Sequence, residues 1–198
     1  MSVFVAEELS EVLNTKVVIG RINMGLLNRI IIDDVLLDDQ SGQEMLKVTR
    51  LSAKFDIMPF FKGKISISSV QLFGFNINLR KETPDSPPNF KFVLDAFASK
   101  DTVKKENSLD LRINSILIRR GRMSYHVLSE EETPGKFNAK HIQLQNIIAN
   151  ISLKALSKDS LNLGIKRLSL DEKASGFSLK KMSLKLVANN KQTNIDNF

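Results

Sequence analysis

The chain has 198 residues, 42% hydrophobic and 26% charged, which suits one domain or two small ones and excludes disorder for its body. Lys and Arg number 29 against 22 Asp and Glu, a formal charge of +7, and that excess favours acidic surfaces, either nucleic acid or anionic lipid headgroups. Cysteine is absent, which excludes disulfides and thiolate centres, and no apolar run approaches the ~20 residues a membrane-spanning helix needs.

Val3 to Leu13 predicts a short helix, with Val5, Leu9, Val12 and Leu13 on one apolar stripe and Phe4 beside it. Its first residues lack the basic and apolar regions of a signal peptide. A recurring pattern follows: two apolar residues spaced two apart, one extra residue, then two more. It runs through Val17, Ile19, Ile22, Met24, then Ile30, Ile32, Val35, Leu37, then Leu46, Val48, Leu51, Ala53. Ile65, Ile67, Val70, Leu72 and Leu111, Ile113, Ile116, Ile118 continue it. Ile142, Leu144, Ile147, Ala149, then Leu163, Ile165, Leu168, Leu170, then Phe177, Leu179, Met182, Leu184 complete it. Within each pair the period of two is that of a strand with one buried face. A straight strand would turn the second pair away, whereas a one-residue bulge, at Ser68-Ser69 for instance, keeps all four on one face. Repetition along the chain predicts the strands of one sheet system.

The interruptions are equally regular. Gly25 to Asn28 and Asp38 to Gly42 have the composition of turns, and the aspartates of the second lack the further acidic ligands of a calcium loop. Residues 56–64 carry Pro59 and Gly63 among Met58, Phe60 and Phe61, which reads as an aromatic plug for one end of the sheet rather than an interfacial membrane helix. Residues 81–108 form a linker with Pro84, Pro87 and Pro88, a short helix over Phe90 to Phe97 capped by Asn89, and a mobile polar loop from Ser99. The organisation is therefore a helix and first β repeat over 1–80, the linker, a second β repeat over 109–188, and a polar tail over 189–198. Two helices of about ten residues span only ~15 Å each and cannot cover so wide an apolar face. It must roll onto itself, meet another sheet, or hold an apolar ligand.

Catalytic chemistry finds little support. His126 and His141 have no metal-ligand partner at a useful sequence spacing, the glycines are scattered, and Asp33-Asp34 and Glu130 to Glu132 read as solvated charges. No cofactor is expected. Nucleic acid is disfavoured because the basic residues are spread out, Trp is absent and Tyr125 stands alone.

In order and spacing, the helix, Thr15 to Ile22 and Ile30 to Leu37 resemble the N-terminal region of AsmA-like proteins. Leu51 to Leu79 adds a strand, a turn from Pro59 to Gly63-Lys64, and a strand reading Ile-x-x-Val-x-Leu-x-Gly. Leu109 to Ile116, with Arg120-Gly121-Arg122 and Tyr125, looks like a second copy. Residues 3 to about 188 are similar to the N-terminal part of TamB-type translocation and assembly modules. That resemblance implies a mainly β fold: long, bulged antiparallel strands in a curved, taco-like sheet with an apolar groove, plus two short helices. It implies a non-enzymatic fragment of a periplasmic protein, anchored to the inner membrane by a missing upstream helix. Its partners would be phospholipid and, through a missing C-terminal region, an outer-membrane assembly protein of the Omp85 family. Acyl chains would lie over Ile65, Ile67, Val70, Leu72, Phe75 and Ile77, with Val18, Ile22, Ile32, Val35, Leu51, Ile113, Ile116 and Ile118 extending the groove. Two alternatives stand beside this: the same residues as an ordinary sealed core, and a scaffold for outer-membrane β-barrel assembly whose strand edges pair with other strands.

Overall fold

The computed structural model describes residues 2–26, 28–55, 67–98, 114–156, 160–189 and 192–196. Helix α1 (Ser2–Leu13) leads into β1 (Val17–Gly25), β2 (Arg29–Asp38), β3 (Glu44–Phe55) and β4 (Ile67–Lys81). Helix α2 (Lys91–Ala98) precedes β5 (Ser115–Val127), β6 (His141–Leu156), β7 (Ser160–Glu172), β8 (Ser178–Asn189) and β9 (Thr193–Asp196). All nine strands form one sheet in chain order, open at β1 and β9. Among the described residues the fold is mainly β with two short helices, as the strand pattern and the two helical stripes predict. It departs from expectation at one seam, where β4 and β5 run parallel and the sheet is mixed. Parallel neighbours need a long crossover, and α2 lies on that connection. Thr193–Asp196, read as a polar tail, pairs with β8 as the edge strand.

Every apolar quartet is spaced two, three, two, a palindrome that reads alike in either chain direction. Antiparallel and parallel neighbours can therefore both match it. Val17, Ile19, Ile22 and Met24 face Leu37, Val35, Ile32 and Ile30 in turn, and Val70 and Leu72 face Ile116 and Ile118 across the parallel seam. The extra residue takes a left-handed backbone at Asp34, Gly74, Arg120 and Asn146, which turns the strand so that the next pair returns to the same face. At Gly74 a side chain is barred twice over: its φ is 64°, and a Cβ would lie 2.7 Å from Thr49 Oγ1. From β1 to β4 the ladder passes these kinks in register. From β5 to β8 they are staggered, and each pairing shifts. The bulge expected at Ser68-Ser69 is present, since Lys54 pairs with Ser69 and Phe55 with Ile67, leaving Ser68 over. The β4 kink shared with its neighbours lies further on, at Gly74, so its matching quartet is Val70, Leu72, Phe75 and Ile77.

Helix α1 packs on β1, using Leu13 but not Leu9 or Val12 of the stripe its sequence offers. Ala6 is buried, while Phe4, Leu9 and Val12 are exposed. Ser10 explains the choice: its hydroxyl donates to the Ala6 carbonyl (2.7 Å) and accepts the Val17 N–H (3.0 Å), which draws the small-residue face onto the strand. Asn89 is likewise not spent on α2. Its side-chain oxygen accepts the Arg80 N–H at 3.0 Å, and its amide donates to Asp39 and to the Asn78 carbonyl, both at 3.1 Å. Asp39, 2% exposed, completes the β2–β3 turn by accepting the Ser41 and Gln43 N–H groups and the Ser41 hydroxyl, and pairs with Arg80 at 2.7 Å. The turn composition of residues 38–42 thus organises the whole corner. Residues 56–64, the loop from Ser99 to Ser108, Leu27 of the first turn, and Leu111 and Ile113 lie outside the described residues.

Candidate functional site

Register carries the quartets into rows that cross the sheet. Ile22, Ile32, Leu51, Leu72, Ile118, Ala149, Leu168 and Met182 face one another in succession from β1 to β8. Beside them run Met24, Ile30, Ala53, Val70, Ile116, Ile151, Ile165 and Leu184. Neither row contains a polar residue. Seven inter-strand steps of ~4.8 Å make each row about 34 Å long. The long axis of this apolar face therefore lies across the strands, and each added strand extends it.

The face is deepest in its middle. Val48, Phe75 and Ile147 form a buried cluster, with Val35, Leu51, Leu72, Ile77, Ile118, Met123, Leu144 and Leu170 half-buried around it. The Phe75 ring lies over Gly121, where a Cβ would stand 2.4 Å from two ring carbons. Glycine at that point lets an aromatic side chain of β4 lie across β5, the arrangement of a sheet curved toward this face. Among the described residues, helix packing is confined to one end, where Ala6 and Leu13 of α1 with Phe92 and Val93 of α2 close over Val17, Ile19 and Leu37. Beyond β3 the rows meet no described helix.

Of the residues proposed for the groove, Ile22, Ile32, Val35, Leu51, Leu72, Phe75, Ile77 and Ile118 lie in these two clusters, and Val70 and Ile116 join them through register. Val18 does not. It pairs with Leu36 between buried Val17 and Ile19 and is 41% exposed, because alternation puts it on the opposite face. Phe75 belongs to the sealed part of the face rather than its open surface. Ile65 and Ile113 lie outside the described residues, as does the side chain of Ile67. Met123 was missed, although continuing the two-three-two spacing from Ile116 and Ile118 through Gly121 reaches it.

The opposite face is different in kind. Phe73, Leu117, Arg119, Arg120, Ile148 and Arg167 line an open cleft of about 490 Å³, with the Arg120 guanidinium 5.5 Å from the Phe73 ring centre. A second cleft, of about 650 Å³, lies where α1, α2 and the β2–β3 turn meet, but its Asp39 and Arg80 are committed to the corner network and its Lys91 and Asp95 pair with each other. The buried carboxylates sit at turns and kinks, not on the apolar rows. Asp33 is held below the usual carboxylate range by the Arg50 guanidinium at 2.6 Å. Glu172, 2% exposed, is pushed up by burial, and this is outweighed by the Ser175 hydroxyl and by the N–H groups of Ser175, Ala174 and Gln143, which hold it down to about 2. These groups shape the turns and kinks of the strands and leave the rows between them apolar.

No family model matches the chain, and no curated protein matches it.

Proposed function

We propose that the chain is a non-enzymatic, lipid-conducting segment of an envelope protein. Phospholipid acyl chains would lie along the apolar rows, with headgroups at the rim, and pass across the strands between inner and outer membranes. The observation that supports this is the unbroken apolar composition of two rows spanning eight strands, on an open sheet whose helices, among the described residues, cover one end only. An acyl chain there would be held by ~0.8 kcal/mol per methylene removed from water, enough for retention and weak enough for movement. The periplasmic setting and the anchor upstream follow from the resemblance to TamB-type proteins and belong to the same proposal, as does an Omp85-family partner engaged elsewhere in a longer chain.

The test is native mass spectrometry with lipid extraction on protein purified from a bacterial envelope. Val70 and Ile116 belong to neither buried cluster, so V70E and I116E alter the row without opening the core. Co-purifying phospholipid that the double variant loses, while still unfolding cooperatively, supports the conduit. A lipid-free wild type that unfolds cooperatively overturns it. A scaffold role would then lead, favoured by one feature of the open edge. Strand β9 pairs only with Lys185 to Ala188, so residues 178–184 of β8 face no ladder partner on that side among the described residues, which is where an added strand would dock.

A further inference from the structure

At the far end of the β5–β6 hairpin, register brings together three side chains that sequence spacing keeps apart. His126, next to the last residue of β5, pairs directly with His141, the first residue of β6. Their Nδ1 atoms are 3.0 Å apart. From the connecting loop, Glu132 Oε1 reaches to 3.8 Å from the first and 4.0 Å from the second. Sequence spacing offers neither histidine a ligand partner; in the fold the neighbouring groups come from across the ladder and from the loop.

We propose that His126, His141 and Glu132 form a binding site for a divalent transition-metal ion of the zinc class. The proposal does not depend on the lipid reading. His141 Nε2 lies 2.9 Å from the Glu130 carbonyl oxygen. A carbonyl can only accept, so Nε2 carries the hydrogen, and the Nδ1 of the neutral ring presents its lone pair to the site. Orientation of a ligating imidazole by a backbone carbonyl on its other nitrogen is the outer-shell arrangement that metal sites use. His126 Nδ1 lies 3.0 Å from His141 Nδ1, a separation at which a hydrogen carried on His126 Nδ1 would be shared between the two nitrogens. Replacing that proton with zinc, at ~2.0–2.1 Å from each nitrogen, requires a tetrahedral N···N separation of about 3.3 Å. The rings need part by only a few tenths of an ångström. Glu132 is 64% exposed in its side chain and can close the remaining gap, leaving a fourth position for water.

The surroundings supply the rigidity. Val127 N–H donates to the Lys140 carbonyl (2.9 Å), His141 N–H to Asn138 (3.0 Å) and Glu130 N–H to Val127 (3.0 Å), while Asn138 donates its amide to the Glu131 carbonyl (3.1 Å). Lys140 pairs with Glu130 at 2.8 Å, which occupies that neighbouring carboxylate, whereas the Glu132 carboxylate faces the two imidazoles at 3.8 and 4.0 Å. Two imidazoles and one carboxylate suit zinc, copper or nickel and not magnesium or calcium. A bound ion would clip the loop between β5 and β6 shut, with the binding free energy added to the stability of the hairpin.

The experiment uses untagged protein stripped with a chelator, titrated with zinc chloride by calorimetry, and separately with cobalt chloride to read coordination from its visible absorption. The expected result is one ion per chain, a tetrahedral cobalt spectrum, and an unfolding midpoint that rises with zinc. H126A, chosen because His126 is less buried than His141, should abolish stoichiometric binding and the zinc-dependent rise. E132Q should weaken binding on the order of 10-fold or more, and magnesium chloride should produce no signal. Absence of stoichiometric zinc binding, or binding unchanged in H126A, would overturn the proposal.

Discussion

Gly121 offers a sharp test of the apolar face. Its backbone is not left-handed, and a Cβ placed there would lie 2.4 Å from Phe75 Cε1 and Cζ and 3.0 Å from Ile147 Cβ. Carbon atoms rest at ~3.5–4.0 Å, so G121A forces the Phe75 ring back by about 1.1 Å. The ring is 6% exposed between Val48 and Ile147, both also buried, and has nowhere to retreat without disturbing them. Overpacking of this kind costs ~1–3 kcal/mol, against which a smaller unfolded-state entropy returns ~0.4–1 kcal/mol. Net destabilisation of about 1–2 kcal/mol should lower the urea midpoint by about 0.5–1 M at an m-value near ~2 kcal/mol/M. The control is F75A, which alone should cost ~3–5 kcal/mol. In that background the methyl of G121A enters vacated space, and its cost should vanish or reverse. An equal cost of G121A with and without the Phe75 ring, or none at all, would refute the account of how β4 crosses β5.

Other consequences are as direct. Because the Glu172 carboxyl is held to about 2 against an ordinary 4.5, it contributes stability above pH 4.5 that is lost as pH falls toward 2. E172Q, which faces the buried N–H groups with a neutral amide, should cost ~1–3 kcal/mol at pH 7, and chemical denaturation should show the difference from wild type shrinking across that window. D39A removes the acceptor for Arg80, Asn89 and two turn N–H groups together. A loss of about 3 kcal/mol or more is expected, with hydrogen exchange accelerating first at Ser41 and Gln43. V18E, in contrast to V70E, should leave any retained phospholipid unchanged by mass spectrometry, since Val18 is on the other face.

Much of this architecture is legible in the residues themselves. The two-three-two spacing locates the strands, their apolar face and the need for a kink in each, because alternation and the left-handed turn are local backbone properties. The same spacing is blind to direction, so the parallel seam between β4 and β5 had to come from the tertiary structure. Helix α1 shows a second kind of limit: composition favours its bulky stripe, but close approach to β1 favours Ala6 and the bidentate use of Ser10. Asn89 is a plausible cap until Arg80 and Asp39, distant in sequence, claim its side chain. His126, Glu132 and His141 become neighbours only when ladder register and the loop between β5 and β6 are set. Sequence by itself determined which residues alternate and where the chain must kink. Tertiary structure decided which strands meet and in which register, because pairing energy depends on partners that no single stretch contains.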